Sequence, residues 1–299
     1  MSPSIARLFV GFIALCAFSQ TNVPAPIPTS VNANLVLDAA GPEQRKSLSA
    51  IYLIACPNVG FGSGFLLDTG IMVTNSHVVA TCTEQTLLGI STANKPMRFP
   101  RIIKDNNRDL ALLVPSEKPP TNGLRLAAKD NPVPGTTVST WGYPFGYSGV
   151  SPLLSVGYVS GFREVESGGK KVKHTVVNGA FNHGNSGGPL LIAHDNEVIG
   201  IVVLTFHFYP PEVKQIIDAL LGQQNGVQMG QIRRPDGTTE QLSEARLTGM
   251  VLDEFYQKTQ VMIGEAISVS ELAAMLKEHA SELPATSQSG SPIKSTAKK

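Results

Sequence analysis

Between Ser49 and about Val203 the chain is a succession of short apolar runs: SAIYLIAC, GSGFLLD, GIMVTN, RFPRIIK, DLALLVP, TTVSTWGY, SVGYVSGF, KHTVVNGAF, GPLLIA and EVIGIVVLTF. Each is rich in Val, Ile, Thr or aromatic residues and ends at Gly, Pro, Asn or Asp, the punctuation of β-strands. Helical periodicity is almost absent over this stretch. A chain with so many short strands must bury their faces against one another, as a sandwich or as barrels, so the expected class is all-β.

Helical spacing begins after Phe208. PPEVKQIIDALLGQQNG puts Val213, Ile216, Ile217, Leu220 and Leu221 on one face, with Pro211 and Glu212 at the start and Gly222 at the stop. RRPDGTTEQL reads as a turn or hairpin, LTGMVLDEFYQKT is ambiguous, VMIGEAIS returns to strand, and VSELAAMLKEHA is a closing helix with Ser270 as its expected cap. No internal repeat is visible. With 42% hydrophobic and 16% charged residues the chain can build a core. A formal charge of +1, no basic stripe and no zinc-ligand spacing argue against nucleic acid as a partner.

MSPSIARLFVGFIALCAFSQ, with Arg7 ahead of the apolar run Leu8 to Phe18 and small residues at Ala17 and Ser19, reads as a signal peptide over 1–19, cut before Gln20. The run is short for a membrane span, which takes about 20 apolar residues, and bulky Leu15 weakens a lipoprotein reading of Cys16. A secreted or periplasmic protein without a stable membrane anchor is expected. Residues 20–40 read as an extended lead-in, 41–282 as the folded domain and 283–299 as a disordered tail. Export would leave Cys56 and Cys82, which in an oxidising compartment are expected to pair across a loop of about 27 residues; two buried free thiols are the alternative.

FNHGNSGGPLL holds Ser186 among glycines. A serine hydroxyl is a weak nucleophile unless a histidine takes its proton, and the histidine needs an acid to fix its tautomer. TNSHVVA supplies His77 at the end of one apolar run, and NNRDLALLV supplies Asp109 at the head of another; Asp105 competes for the acid's role. GNSGG also fits the G-x-S-x-G elbow of α/β-hydrolases, but that elbow needs a helix after the serine. Here Pro189 and a strand signal follow.

The blocks IMVTNSHVV, RDLALL, GNSGGPL and IGEAISVSELAAML, from about Ala50 to His279, resemble those of trypsin-like serine peptidases, most closely the high-temperature-requirement branch. The resemblance implies two six-stranded antiparallel β-barrels with a helical insertion and a C-terminal helix. It implies a serine endopeptidase acting on protein or peptide substrates through an acyl-enzyme, without metal or organic cofactor. Ser186 would be the nucleophile, His77 the general base and then acid, Asp109 its orienting partner, and the N–H groups of Gly184 and Ser186 the oxyanion hole. The primary pocket would take Ala180 at its base, Phe181, and the strand Val203, Leu204 and Thr205. Without an acidic residue at Ala180 an apolar or small side chain is the expected preference.

Asn185 stands where digestive relatives have an aspartate that pairs with a new N-terminus, so it cannot form that ion pair. His183 is expected at the cleft rim and Trp141 in packing. Two departures from the family remain: no room for a PDZ domain after His279, and an insertion of about 207–260 that either caps apolar surface or borders the cleft. A catalytically silent binding or chaperone-like protein on the same fold is the rival expectation.

Overall fold

The computed structural model describes residues 34–56, 60–119, 123–128, 132–144, 151–179, 181–205, 211–233, 237–258 and 262–284. The expected signal peptide over 1–19, and residues 285–299 of the tail expected from 283, lie outside the described residues; Leu283, at the head of that tail, packs partly buried against the core. Two short helices open the described chain, α1 (Asn34–Ala39) and α2 (Pro42–Ser49). Their end of the lead-in was expected to be extended. Pro42 sits in the first turn of α2, where its missing N–H has no intrahelical partner to lose, and Leu48 is fully buried in the core.

Seven strands follow: β1 (Ile51–Cys56), β2 (Gly60–Leu66), β3 (Met72–Thr74), β4 (Leu88–Ser91), β5 (Pro96–Arg98), β6 (Arg101–Asp105) and β7 (Leu110–Val114). They form one antiparallel sheet in the order β5-β4-β1-β2-β3-β7-β6. Where a six-stranded N-terminal barrel was expected, the sheet is a curled half-barrel of seven strands, and among the described residues no ladder joins its two edges. RFPRIIK, read as one run, is split by Phe99 and Pro100 into β5 and β6. The two edge strands are thus consecutive in the chain and joined by a two-residue link. Pro96 and Pro100 have no N–H to give a ladder, and the edge is instead fastened by the Ser116 N–H donating to Arg98 O at 2.9 Å.

The C-terminal half is a closed barrel. Its strands are β8 (Thr137–Gly142), β9 (Leu153–Ser167), β10 (Lys170–Asn178), β11 (Pro189–Ile192) and β12 (Val198–Thr205). After β12 the chain makes α3 (Pro211–Gly222), β13 (Gln228–Arg233), β14 (Thr239–Ser243) and α4 (Glu244–Lys258), then returns as β15 (Ile263–Ser268), followed by α5 (Val269–Glu278) and a 3-10 turn, Ala280–Glu282. The closed order is β10-β15-β12-β11-β8-β9. The β9–β10 hairpin turns on Gly168 and Gly169, both with positive φ (56° and 75°), the conformation that matches a two-residue turn to strand twist. The cap of α5 is the extended residue Ser268, not Ser270.

Leu124 bridges to Leu67 and Leu126 to Val198, so the segment between the two sheets is tied to both. One core cluster runs from Leu48 through Phe65, Leu110 and Trp141 to Leu272 and Met275; a second fills the closed barrel around Val138, Val177, Phe181 and Leu190. At about 1.5–3 kcal/mol for each large side chain fully buried, these clusters are the main favourable term. Trp141 packs in the first of them, as expected.

The described residues divide into two compact units, one contributed by Tyr209–Lys258 and the other by the described residues before and after it. In the smaller unit the segment read as ambiguous is the helix α4. It packs on α3 so closely at Gly249 that a Cβ there would lie 2.9 Å from Leu221 N. The β13–β14 hairpin completes this unit.

Candidate active site

His77 follows buried β3 by two residues and opens a 3-10 turn, His77–Val79. Val79 is fully buried and anchors the turn, and Lys104 Nζ donates to the carbonyls of Val79 (2.6 Å) and Ala80 (3.1 Å). Cys82, just beyond, is disulfide-bonded to Cys56 at the end of β1. The histidine is thereby fastened at three points while its own side chain stays 46% exposed.

Asp109 closes the β6–β7 turn with φ 54°, a left-handed conformation that costs a non-glycine residue about 1–2 kcal/mol. Its main-chain carbonyl accepts the Ser76 N–H (3.2 Å) and Asn75 Nδ2 (3.0 Å). Its carboxylate reaches His77 twice. Oδ1 accepts the main-chain N–H at 2.9 Å and Oδ2 lies 2.7 Å from Nδ1. Asp105, the competing acid, is engaged elsewhere. Its Oδ1 accepts the N–H groups of Asn107 and Arg108, and its Oδ2 pairs with Arg108 Nη1 at 2.6 Å. Burial works against the Asp105 charge, but the Arg108 bonds and charge hold its carboxyl below the usual range.

Ser186 sits in the tight loop before β11. Gly187 has φ 84°, and a Cβ there would lie 2.1 Å from Ser63 O, so only glycine lets the loop lie against β2. Ser63 reinforces the contact: its N–H donates to Ser186 O at 2.8 Å and its hydroxyl to Gly184 O at 2.7 Å, while that hydroxyl accepts the Tyr143 N–H. Gly184 has φ 95°. Among the described residues the N–H groups of Gly184 and Ser186 take no main-chain acceptor. Asn185 between them is 2% exposed, and its N–H and C=O close the loop onto Asn182 and Gly188.

The Ser186 hydroxyl donates to Val203 O at 2.7 Å, and among the described contacts it is not bonded to His77. The acceptor is available because β12 bulges against β15 between Val202 and Leu204, which leaves Val203 out of the ladder. The structure thus brings His77 together with Asp109 and leaves the Ser186 hydroxyl turned toward β12.

The expected pocket residues fare differently. Ala180 lies outside the described residues, and Leu204 and Thr205 are described in backbone only. Val203 is half-buried. Phe181 is 2% exposed and fills the core of the closed barrel against Gly264, because that glycine opens room for its ring. His183 is half-buried beside the loop. Among the described residues no group of three or more His, Cys, Asp or Glu side chains is arranged to hold a metal ion, and no helix is long and apolar enough to cross a membrane.

Sequence reasoning missed Arg108 and its acidic partners on α5, although the dipeptide Arg108-Asp109 and the acids Glu271 and Glu278 were in view. It also missed Ser63 of β2, which braces the loop, and Asn75, just after β3, which braces the acid.

Residues 62–201 match the family model of the trypsin-like peptidase domain. Protease Do-like 5, chloroplastic, of Arabidopsis thaliana is 36% identical over 163 residues, covering 49% of this chain and 49% of that protein. A probable periplasmic serine endoprotease DegP-like of Rhizobium meliloti is 28% identical over 172 residues, covering 54% of this chain and 33% of the relative. The matched region thus spans about half of these relatives' length, or less. Among solved structures, the active form of the Rv3671c protease from M. tuberculosis superposes with TM-score 0.52 at 19% identity, over 79% of this chain and 83% of that one. An inactive-form mutant of the same protease gives TM-score 0.55 at 17% identity, over 85% and 97%.

Proposed function

We propose that the chain is an exported serine endopeptidase that cleaves peptide bonds through an acyl-enzyme, a reading supported by the match of residues 62–201 to the trypsin-like peptidase domain and by its similarity to Do-like proteases. The observation that carries this reading is the two-point contact of Asp109 with His77; the His77–Val79 turn and the Ser186 loop both come up to Gly62, where a Cβ would lie 2.8 Å from the Val78 side chain and 3.1 Å from Ser186 O. Asp109 fixes the tautomer in which Nδ1 is protonated and Nε2 is free to take a proton.

In the reaction Ser186 turns about its Cα–Cβ bond from Val203 O to Nε2 of His77, exchanging one hydrogen bond worth about 1 kcal/mol for another. Its oxygen attacks the scissile carbonyl as His77 takes the proton. The resulting oxyanion accepts the N–H groups of Gly184 and Ser186, each donor worth about 3 kcal/mol of transition-state stabilisation. His77 then protonates the leaving amine, and water, deprotonated by the same imidazole, frees the acyl group. The primary pocket has no acid at Ala180, and half-buried Val203 stands on its wall, so a small or apolar side chain is the substrate's preferred fit. The Cys56–Cys82 disulfide and the periplasmic relative support an oxidising compartment outside the cytoplasm.

The rival, a trypsin-fold binding or chaperone-like protein, draws on one observation: the Ser186 hydroxyl is bonded to Val203 O instead of to the histidine. A fluorophosphonate probe separates the two. Labelling of the mature protein that disappears in Ser186→Ala and in His77→Ala supports the peptidase. A folded protein that never labels supports the rival.

A further inference from the structure

Arg108, one residue before Asp109, is the most heavily paired charged side chain among the described residues, and the chemistry above does not use it. It is 7% exposed. Its Nη1 lies 2.6 Å from Asp105 Oδ2 and 2.8 Å from Glu278 Oε2, its Nη2 2.7 Å from Glu278 Oε1, and its Nε 3.2 Å from Glu271 Oε2. Every nitrogen of the guanidinium is therefore committed. Two of the three carboxylates come from α5, the helix that follows the closed barrel, whereas Arg108 belongs to the β6–β7 turn of the N-terminal sheet. Glu271 extends the link, since its Oε1 accepts the Lys173 N–H of β10 at 3.1 Å. A second tie lies a few residues on, where Glu282 pairs with Arg101 of β6 through both its side chain and its carbonyl.

Why fasten this turn so firmly? Asp109 keeps its φ of 54° only because the surroundings over-determine it. Ahead of it, Asp105 closes the turn on the N–H groups of Asn107 and Arg108 while Arg108 is drawn toward α5. Behind it, Asn75 and Ser76 hold the Asp109 carbonyl. With the backbone pinned on both sides, the carboxylate is left aimed at His77. The planar fork makes four bonds to three carboxylates from three separate nitrogens, two of them to Glu278, where a lysine has only three donors on one nitrogen and cannot reproduce the fork.

We propose that Arg108 is a positioning residue of the candidate triad: clamped by Glu271 and Glu278 of α5 and by Asp105, it holds Asp109 in the left-handed conformation that orients His77. The C-terminal helix is then part of the catalytic apparatus without touching substrate. This rests on the peptidase reading for its kinetic consequence, but the His77–Asp109 geometry it explains does not.

The test compares wild type with Arg108→Gln, Arg108→Lys and Glu278→Gln, each checked for native circular dichroism at the assay temperature. The readouts are the rate of fluorophosphonate inactivation, kcat and KM on a peptide substrate, and the downfield proton resonance of the imidazole Nδ1–H bonded to Asp109. A misplacement on the scale of 1 Å costs up to about 100-fold in rate. The expected result for Arg108→Gln is a roughly 10- to 100-fold slower inactivation with KM held within about twofold and the Nδ1–H resonance broadened or lost. Arg108→Lys should recover only part of the rate, and Glu278→Gln, which keeps the guanidinium and the other two acids, should fall between it and wild type. Should Arg108→Gln fail to fold, the other two variants carry the comparison.

Wild-type rates and an unaltered resonance in the folded variants overturn the proposal. If wild type itself is never labelled, the peptidase reading falls, and the resonance alone decides: its loss in the variants supports the clamp and its persistence overturns it.

Discussion

Asp109 grips His77 at two atoms, accepting its main-chain N–H on one carboxylate oxygen at 2.9 Å and facing its Nδ1 with the other at 2.7 Å. The first contact fixes where the turn lies and the second which ring nitrogen holds the proton. Asparagine preserves the size and the tolerance for positive φ but can present an amide to Nδ1. Asp109→Asn should therefore keep the fold and lower the fluorophosphonate reaction rate by about 10³- to 10⁴-fold near neutral pH. Stopped-time labelling of wild type and variant at matched folding checks it; a loss under tenfold would remove Asp109 from the proposed triad.

The loop carrying Ser186 lies against β2 with no room for another atom. Gly187→Ala would place a methyl 2.1 Å from Ser63 O and 2.2 Å from Thr74 Oγ1 while demanding φ 84°. Both neighbours sit in a laddered sheet and cannot retreat. The expected outcome is a destabilisation of several kcal/mol, on the scale reserved for overpacking and backbone strain together, together with loss of labelling. Urea melts of purified wild type and variant measure the first.

Cys56 and Cys82 close a loop with a sequence separation of 26 that contains β2, β3 and His77. Cross-linking a loop of that size lowers the entropy of the unfolded chain by an amount worth about 3 to 4 kcal/mol. The double variant Cys56→Ser with Cys82→Ser should lose stability on that scale in denaturant unfolding, and reduction of the wild type should reproduce most of the change.

The clamp on α5 has a pH signature. The hydrogen bonds of Arg108 hold the Glu278 carboxyl below the usual range, with the charge of Lys170 adding to them, and Asp105 is lowered for a related reason. A carboxyl whose folded pKa is depressed stabilises the fold above its unfolded value, near pH 4, and loses that contribution as pH falls through the folded value. The thermal midpoint of wild type should exceed that of Glu278→Gln from neutral pH down to about pH 5, and the gap should close as the pH drops below about 4. A gap that widens in acid would reverse the sign and refute the assignment.

The smaller compact unit, Tyr209–Lys258, enters and leaves between two hydrogen-bonded neighbours: Thr205 at the end of β12 pairs with Gly264 near the start of β15. Replacing residues 207–261 by a short Asn-Gly turn therefore asks only for a tight hairpin. The shortened protein should unfold cooperatively and lose helix signal in far-ultraviolet circular dichroism. If it also turns over small peptides as wild type does while its cleavage of folded protein substrates changes, the unit governs substrate entry; unchanged selectivity would leave it a purely structural addition.

Much of this could be read from one sequence because it depends on local chemistry. Short β-rich runs broken by Gly, Pro, Asn and Asp announced the strands, and GNSGGPL, TNSHVVA and NNRDLALLV announced where a hydroxyl, an imidazole and a carboxylate would stand. Failures came where a residue's partner was distant. The packing of Phe181 was not legible, because Gly264, more than eighty residues on, opens the place for its ring in the barrel core. RFPRIIK looked like one strand until Phe99 and Pro100 became the corner between two sheet edges. Ser270 was the expected cap of the closing helix, but the backbone turns helical right after Ser268.

The sequence by itself determined the composition of the reacting groups, the class of fold and the order of the three candidate residues along the chain. Which acid meets the histidine was decided by the tertiary structure, because Asp105 and Asp109 are chemically alike, and Asp105 is taken up by Arg108 and the turn's N–H groups while Asp109 reaches His77. The resting direction of the Ser186 hydroxyl was likewise settled by a bulge in β12 that frees the Val203 carbonyl. Both outcomes arise from groups far apart in the chain competing for the same hydrogen bonds, a contest whose result is fixed only when the sheets and the last helix come together.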